Sequence, residues 1–421
     1  MAIGSIPLVF GSIGIQIYHV RDSGIYYGGD EVKGFVEVKG PLNVIDAIVE
    51  ISFSGITEAQ HVVPKRVMKN KATFFDETKI LFKGTVVLEK DGTQTWPFTF
   101  QLPTQTEPEG RNTKIKYTKK PHYMKESHAI PPSASLSDNS NDWMAQVVYQ
   151  LYAKINGKGG TRQYTGCVTV VPPPQPDLQD SNVLMQALRE WQSEPWMHVS
   201  SQLLPGQAQG KRTMNKWLSD KVSKDTPRAV FSINMRTITI MTAGVQIPVL
   251  LKLLYDTEKS TLPSVPEVRL LEMKYSIKAW TQVVGSGFLA PESNSSYHQP
   301  VFERRLQFDS MSLVNGEYVH AATINVDGRT LPSIHFDQNL VPAFTTYNIR
   351  RMYLLSVSLH IECGGKRMKT KFDSLGPLNL VYKEGYASKP GPSADPNALE
   401  NTFKVAKVVA PLVSGLAQAL A

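Results

Sequence analysis

Apolar and polar residues alternate singly through the stretch from Tyr27 to Gly55. Val32, Gly34, Val36 and Val38 are interleaved with Lys33, Phe35 and Glu37, which is the period of a strand and not of a helix. The turn formers Gly28-Gly29-Asp30 precede this run and Gly40-Pro41-Leu42-Asn43 follow it. Beyond them Ile45, Ala47, Val49, Ile51 and Phe53 share one side, with Asp46, Glu50, Ser52 and Ser54 on the other. Together the two runs predict a long antiparallel pair with one buried face. Upstream, Ile13, Ile15 and Ile17 alternate with Gly14, Gln16 and Tyr18, so the apolar start reads as an opening strand and not as a signal peptide.

Short strands continue at 73–77, 80–82 and 85–88 up to the turn Asp91-Gly92. In Trp96-Pro97-Phe98-Thr99-Phe100-Gln101-Leu102 the aromatic residues and Leu102 fall on one side, and Pro97 requires a place without a ladder donor, an edge or a bulge. Residues 105–142 turn polar, basic and rich in Pro and Ser, which predicts a long mobile loop. Strand alternation returns at Val147, Tyr149, Leu151, Ala153 and Ile155, passes Asn156-Gly157, and runs from 161 to 171.

The prolines at 172, 173, 174 and 176 mark a boundary. Past it, Ser181 is placed to cap a helix carrying Val183, Leu184, Leu188 and Trp191, and a second short helix is expected around Met214, Trp217, Leu218 and Val222. Strand-like runs resume at 229–235, 237–241, 245–254, 267–280, 318–324 and 344–371. The clearest has Tyr353, Leu355, Val357, Leu359, Ile361 and Cys363 on one face before the turn Gly364-Gly365. The pattern thus predicts an all-β chain of two antiparallel β-sandwich domains in tandem, at 1–172 and 228–385. A connector with short helices at 173–227 joins them, and a disordered linker with an apolar tail occupies 386–421. In that tail Phe403, Val409 and Leu412 are candidate contacts to the body or to a membrane surface, and Pro411 interrupts any helix there.

Size and composition agree with two soluble domains. The chain has 421 residues, 41% hydrophobic and 19% charged, with 28 prolines and 29 glycines for many turns. Its two cysteines, Cys167 and Cys363, lie far apart and outside any C-x-x-C spacing. The simplest reading is a reducing compartment, with a lone disulfide as the alternative. No apolar run is long enough to span a bilayer. Ala2 is not a myristoylation glycine, and the C-terminus offers no cysteine to prenylate.

The net charge of +8 is partly local. Arg111, Lys114, Lys116, Lys119, Lys120 and Lys125 face a single acid, Glu126, within sixteen residues. Such a cluster attracts phosphorylated tails, anionic headgroups or nucleic acid, or is a solvated loop without a partner. No Ser-His-Asp, metal-ligand or phosphate-loop arrangement stands out, and the nine histidines are scattered. His360, opposite the Leu359 stripe, reads as solvated or paired across strands. Neither catalysis nor a cofactor is expected.

Tyr27-Gly28-Gly29-Asp30-Glu31-Val32-Lys33-Gly34-Phe35-Val36, the Ile51-to-Gly55 run and Trp96-Pro97-Phe98-Thr99-Phe100-Gln101-Leu102-Pro103 resemble an arrestin N-domain. Phe344-Thr345-Thr346-Tyr347-Asn348-Ile349, Tyr353-Leu354-Leu355 and Ile361-Glu362-Cys363-Gly364-Gly365-Lys366 are similar to the closing strands of an arrestin C-domain. The set most resembles the small fungal members of the α-arrestin branch, over nearly all of residues 10–385. Gly28 departs from the family, which often has a proline before the glycine.

The resemblance implies a cytosolic trafficking adaptor, recruited to plasma membrane or endosomes. It would bind cytoplasmic tails of transporters or receptors and link them to endocytosis or a HECT-type ubiquitin ligase. The P-P-x-Y motif that recruits such ligases is missing, leaving Pro121 and Tyr123 as a degenerate candidate. The six cations from Arg111 to Lys125 are the candidate partner-binding residues. Alternatives are a coat subunit of the retromer-like arrestin type and a peripheral scaffold on anionic lipid; nucleic acid is not expected as a partner.

Overall fold

The computed structural model describes residues 15–19, 21, 24–63, 66–107, 126–137, 143–172, 188–204, 226–238, 240–242, 246–287, 290–325 and 341–381. The N-terminal half forms β1 (Ile15–His19), β2 (Ile25–Tyr26), β3 (Glu31–Lys39), β4 (Leu42–Val63), β5 (Arg66–Leu88), β6 (Thr93–Gln101), β7 (Ala134–Ser137), β8 (Trp143–Lys158) and β9 (Gly160–Val170). The C-terminal half forms β10 (Leu188–Gln192), β11 (Trp196–Val199), β12 (Arg228–Ile238), β13 (Ile240–Thr242), β14 (Gln246–Tyr255), β15 (Val268–Gly287), β16 (Ala290–Leu313), β17 (Val319–Asn325), β18 (Phe344–Thr345), β19 (Ile349–Cys363) and β20 (Lys366–Val381). One 3-10 turn, Ser201–Leu203, is the sole helical element among the described residues. The expected all-β, predominantly antiparallel architecture is the one observed, with two short parallel pairs, β2 with β9 and β13 with β20.

Three sheets build it. A small sheet has the order β1-β3-β6, and a second runs β10-β12-β14-β17 with β11 beside β12. The large one runs β13-β20-β19-β15-β5-β4-β8-β9-β2 through both halves of the chain. Its two parts meet at one rung, Ser286 of β15 opposite Lys69 of β5.

Two cores form because the strands bury every second residue, and the first also takes in Val283, Val341, Phe344, Tyr347 and Ile349 of the C-terminal half. The first core sets Val32, Val36, Trp96, Phe98 and Phe100 of the small sheet against Val49, Ile51, Phe53, Phe74, Tyr149 and Leu151 of the large one. Phe53 bridges the layers, 5.5 Å from Phe100 and 5.0 Å edge-on from Phe75. Fully burying one such ring contributes roughly 1.5–3 kcal/mol. The second core packs Phe231, Ile233, Val249 and Leu251 against Met273, Tyr275, Val357 and Leu359.

The Gly28-Gly29-Asp30 turn is held by Asp30. Its carboxylate accepts from the Tyr27 N–H at 3.0 Å, its own N–H donates to the Tyr27 carbonyl at 3.0 Å, and it pairs with Arg21. Gly29 sits at φ 92°, a conformation open to glycine. Pro97 lies on β6, an edge strand of the small sheet, as its missing donor demands.

Four expectations need correction. The runs at 31–39 and 42–55 are not paired: β3 lies between β1 and β6, whereas β4 lies between β5 and β8. Alternation assigns a buried face, and both strands bury theirs in the same core from opposite layers. Ile45 is 49% exposed, because an irregularity at Ile45-Asp46, with Asp46 at φ 53°, resets the phase so that Val44 is buried in its place, while Ala47 is buried as expected.

Where it is described, the connector is strand apart from the 3-10 turn at Ser201–Leu203, and the helix expected around Leu188 and Trp191 is absent. Leu188–Gln192 is an edge strand on β12, and Trp196–Val199 pairs with the same strand, so pairing to a sheet edge overrides the helical spacing of Leu188 and Trp191. Expected helical positions 181–187 and 214–222 lie outside the described residues. Finally, the loop expected over 105–142 contains β7, which pairs with β8.

Candidate functional site at the junction of the two halves

The turn from Phe344 to Ile349 enters the first core from the C-terminal half. Its backbone closes through the Thr346 N–H to the Ile349 carbonyl at 2.7 Å, and the Val284 N–H anchors the Asn348 carbonyl at 2.9 Å. Thr346, Tyr347 and Asn348 are all buried. A buried polar side chain must find partners, and Asn348 finds them across the junction. Its Oδ1 accepts from the Thr57 hydroxyl at 2.9 Å, and its Nδ2 donates to the Asn70 carbonyl at 3.2 Å. Thr346 adds a weaker bond to Asn348 Oδ1 at 3.4 Å. Two positions beyond the turn, the buried Arg351 donates to Thr281 and lies 5.2 Å over the Tyr353 ring.

Tyr347 carries the other side of the junction. Its ring lies 5.8 Å from Phe74 and 5.1 Å edge-on from His128, and its hydroxyl donates to the Glu107 carbonyl. Glu107 and His128 belong to the two stems that flank residues 108–125. Those stems are tied to each other: Gln105 bridges Ala129, the Thr106 N–H donates to the His128 carbonyl at 2.7 Å, and Ser127 Oγ donates to the Thr106 carbonyl at 2.7 Å. The Thr106 hydroxyl and His128 Nδ1 are 3.1 Å apart. Burial lowers the His128 pKa, which favours the neutral ring. A further contact between the halves is the Trp143–Tyr297 stack at 4.7 Å.

On the outer face of β5, β4 and β8, beside the rung at Lys69, lies a cleft of about 180 Å³. Glu58, Gln60, Lys69, Lys71, Met144 and Gln146 line it. Lys71 pairs with Glu58 at 2.9 Å.

Arg111, Lys114, Lys116, Lys119, Lys120 and Lys125, the pair Pro121 and Tyr123, and Phe403, Val409 and Leu412 all lie outside the described residues. What the structure does fix is the pair of stems that flank the basic segment. His360 faces its cross-strand partner Glu272 at 3.6 Å, as a strand-pairing imidazole does. Neither cysteine forms a disulfide. Among the described residues no group of three or more His, Cys, Asp or Glu is placed to hold a metal ion. No helix among them is long and apolar enough to cross a membrane.

Sequence reasoning missed the junction. Thr345-Thr346-Tyr347-Asn348 stood out only as a motif; the usable signal was a polar run set between apolar strand residues, a local conflict of the kind that marks functional sites. No protein-family model matches the chain, and no curated protein matches its sequence.

Proposed function

We propose that this chain is a non-catalytic, arrestin-like adaptor that binds acidic or phosphorylated cytoplasmic tails of membrane proteins and presents them to endocytic or ubiquitin-ligase machinery. One observation carries the reading: both stems of the segment holding six cations are tied to each other and to Tyr347, at the place where two β-cores meet. An anionic partner captured by the segment between those stems would act on both halves at once.

Binding of labelled acidic and phosphorylated tail peptides, followed by fluorescence anisotropy at rising salt, tests it. Affinity should fall with ionic strength and be lost when Lys114, Lys116, Lys119 and Lys120 are changed to Glu. Binding indifferent to both changes would overturn the proposal. Capture from membranes should yield transporters and a ligase; recovery of sorting-coat subunits alone would favour a coat component instead.

A further inference from the structure

The connector crosses the C-terminal half as a strap. β10 and β11 both pair antiparallel with β12, and Ser193-Glu194-Pro195 separates them. Ser193 spans the break: its N–H donates to the Ile233 carbonyl at 2.9 Å, and its Oγ accepts from the Ile233 N–H at 3.0 Å. β12 therefore has β14 on one side and the strap on the other. Without the strap that second edge is open, a template for an extended chain.

Little of the strap is buried. Of residues 188–199 only Ser193 and His198 are, at 7% and 3% exposure. Leu188, Trp191 and Trp196 are partly buried against the second core, with the Trp196 ring 5.7 Å edge-on from Phe231. Few buried apolar contacts and a place at a sheet edge put such a segment at the low end of local stability.

One carboxylate ties the strap down. Glu190 stands opposite Arg236 in the ladder and accepts from its Nε at 2.9 Å, with Nη2 at 2.8 Å. Asn234 donates to the other carboxylate oxygen, and Lys252 Nζ is 3.9 Å from it. Arg236 and Lys252 also flank the Tyr318 ring, 4.3 and 4.4 Å from its centre. The Tyr318 hydroxyl, then Arg236 and Asn234, hold the Glu190 carboxyl down to about 2 against the cost of desolvation.

Every member of this group except Glu190 belongs to the body. Asn234 and Arg236 are on β12, Lys252 is on β14, and Tyr318 immediately precedes β17. Among the described residues Glu190 is the carboxylate that pairs with either cation. The body thus presents a strand edge with a carboxylate receptor beside it, and the connector is the resident ligand. Glu190 and Trp191 show what fits: extended backbone, an acid on the outer face, and next to it a bulky apolar residue on the core. A cation in the place of the acid would meet Arg236 and Lys252, and a neutral residue would leave both without their counter-charge.

We propose that the β12 edge is a docking site for an extended segment of a partner protein that carries an acid followed by a bulky apolar residue, and that this segment pairs with β12 in place of the connector. The site uses none of the six cations from Arg111 to Lys125 and does not depend on the function proposed above.

The probe is a fluorescein-labelled peptide with the sequence of residues 186–201, added to the full chain and followed by anisotropy. The tethered strap competes with it at an effective concentration on the order of mM, so the wild-type chain should bind it weakly. Glu190→Lys in the chain sets a cation against Arg236 and Lys252, and that chain should bind the probe roughly tenfold more tightly than wild type. A probe with Glu190→Gln should bind the same variant roughly tenfold more weakly than the native probe, having lost a hydrogen bond to a charged group. Equal binding of the two probes, or no gain from Glu190→Lys, would overturn the proposal. If the variant chain does not fold, hydrogen exchange of the wild-type chain decides. Probe at about millimolar concentration should speed exchange across 188–199 and leave 228–238 protected. Protection of 188–199 that the probe does not change would mean that the strap is not displaced, and the proposal would fail.

Discussion

Asn348 donates its side-chain amide to the backbone carbonyl of Asn70 at 3.2 Å, across 278 residues of sequence. With the Thr57 hydroxyl on its other side at 2.9 Å, this one side chain satisfies groups on both β4 and β5. Asn348→Leu keeps the volume and removes both bonds. At about 1–3 kcal/mol for each buried group left unpaired, the variant should lose roughly 2–5 kcal/mol. The check is a denaturant titration, and an unchanged midpoint would show that the junction is not closed in this way.

Gly34 lets the neighbours of β3 approach its backbone closely. A Cβ there would lie 2.0 Å from the Tyr18 carbonyl oxygen and 2.6 Å from the tip of the Phe98 ring. Gly34→Ala should separate β1 from β3 and cost at least the ~1–3 kcal/mol typical of overpacking. Hydrogen exchange across 15–19 should accelerate. Gly166→Ala is the control: its Cβ would meet only the Tyr164 ring, at 3.7 Å, and should be neutral or slightly stabilising.

Burial lowers the pKa of His19, His128 and His198 below the usual imidazole value of 6.5. Above that pH the rings are neutral in both folded and unfolded chains, and the shift has no effect on stability. Below it the unfolded chain takes up protons that the folded one resists, so stability falls as pH drops through 6.5 toward the folded pKa values. Thermal melts taken at successively lower pH should show the decline, and His128→Gln should make it shallower.

Thiol reactivity separates the two cysteines. Cys363 is buried, and burial pushes its thiol up to about 11, so little thiolate is available at neutral pH. Cys167 is half-buried. A disulfide exchange reagent should modify Cys167 first in the native protein and both only in denaturant. Fast modification of Cys363 in the native state would contradict its placement.

Period-two alternation was legible wherever one strand face is wholly apolar. Trp96, Phe98, Phe100 and Leu102 are all buried as read, and so is the stripe from Tyr353 to Cys363. Alternation identifies a face but not a neighbour, which is why β3 and β4 read as partners although they lie in different layers. The strand β16 was silent in the sequence: its outer positions include Gln307, Arg305, Glu303, His298 and Ser296, and it is an edge strand with little apolar stripe to betray it. Of the candidate sites, the basic cluster was visible as composition. The junction and the cleft were not, because each brings together residues from strands far apart in the chain.

The single Ser286–Lys69 rung has a mechanical corollary. Backbone pairing fixes the interior of each half over long ladders, but among the described residues it contributes one step between the halves, and side chains add to it: Asn348, Tyr347, the Trp143–Tyr297 stack, and Val283, Val341, Phe344 and Ile349 buried in the first core. The placement of one half against the other therefore depends more on side chains than on backbone pairing. Substitutions there would re-aim one shell against the other while each stays folded.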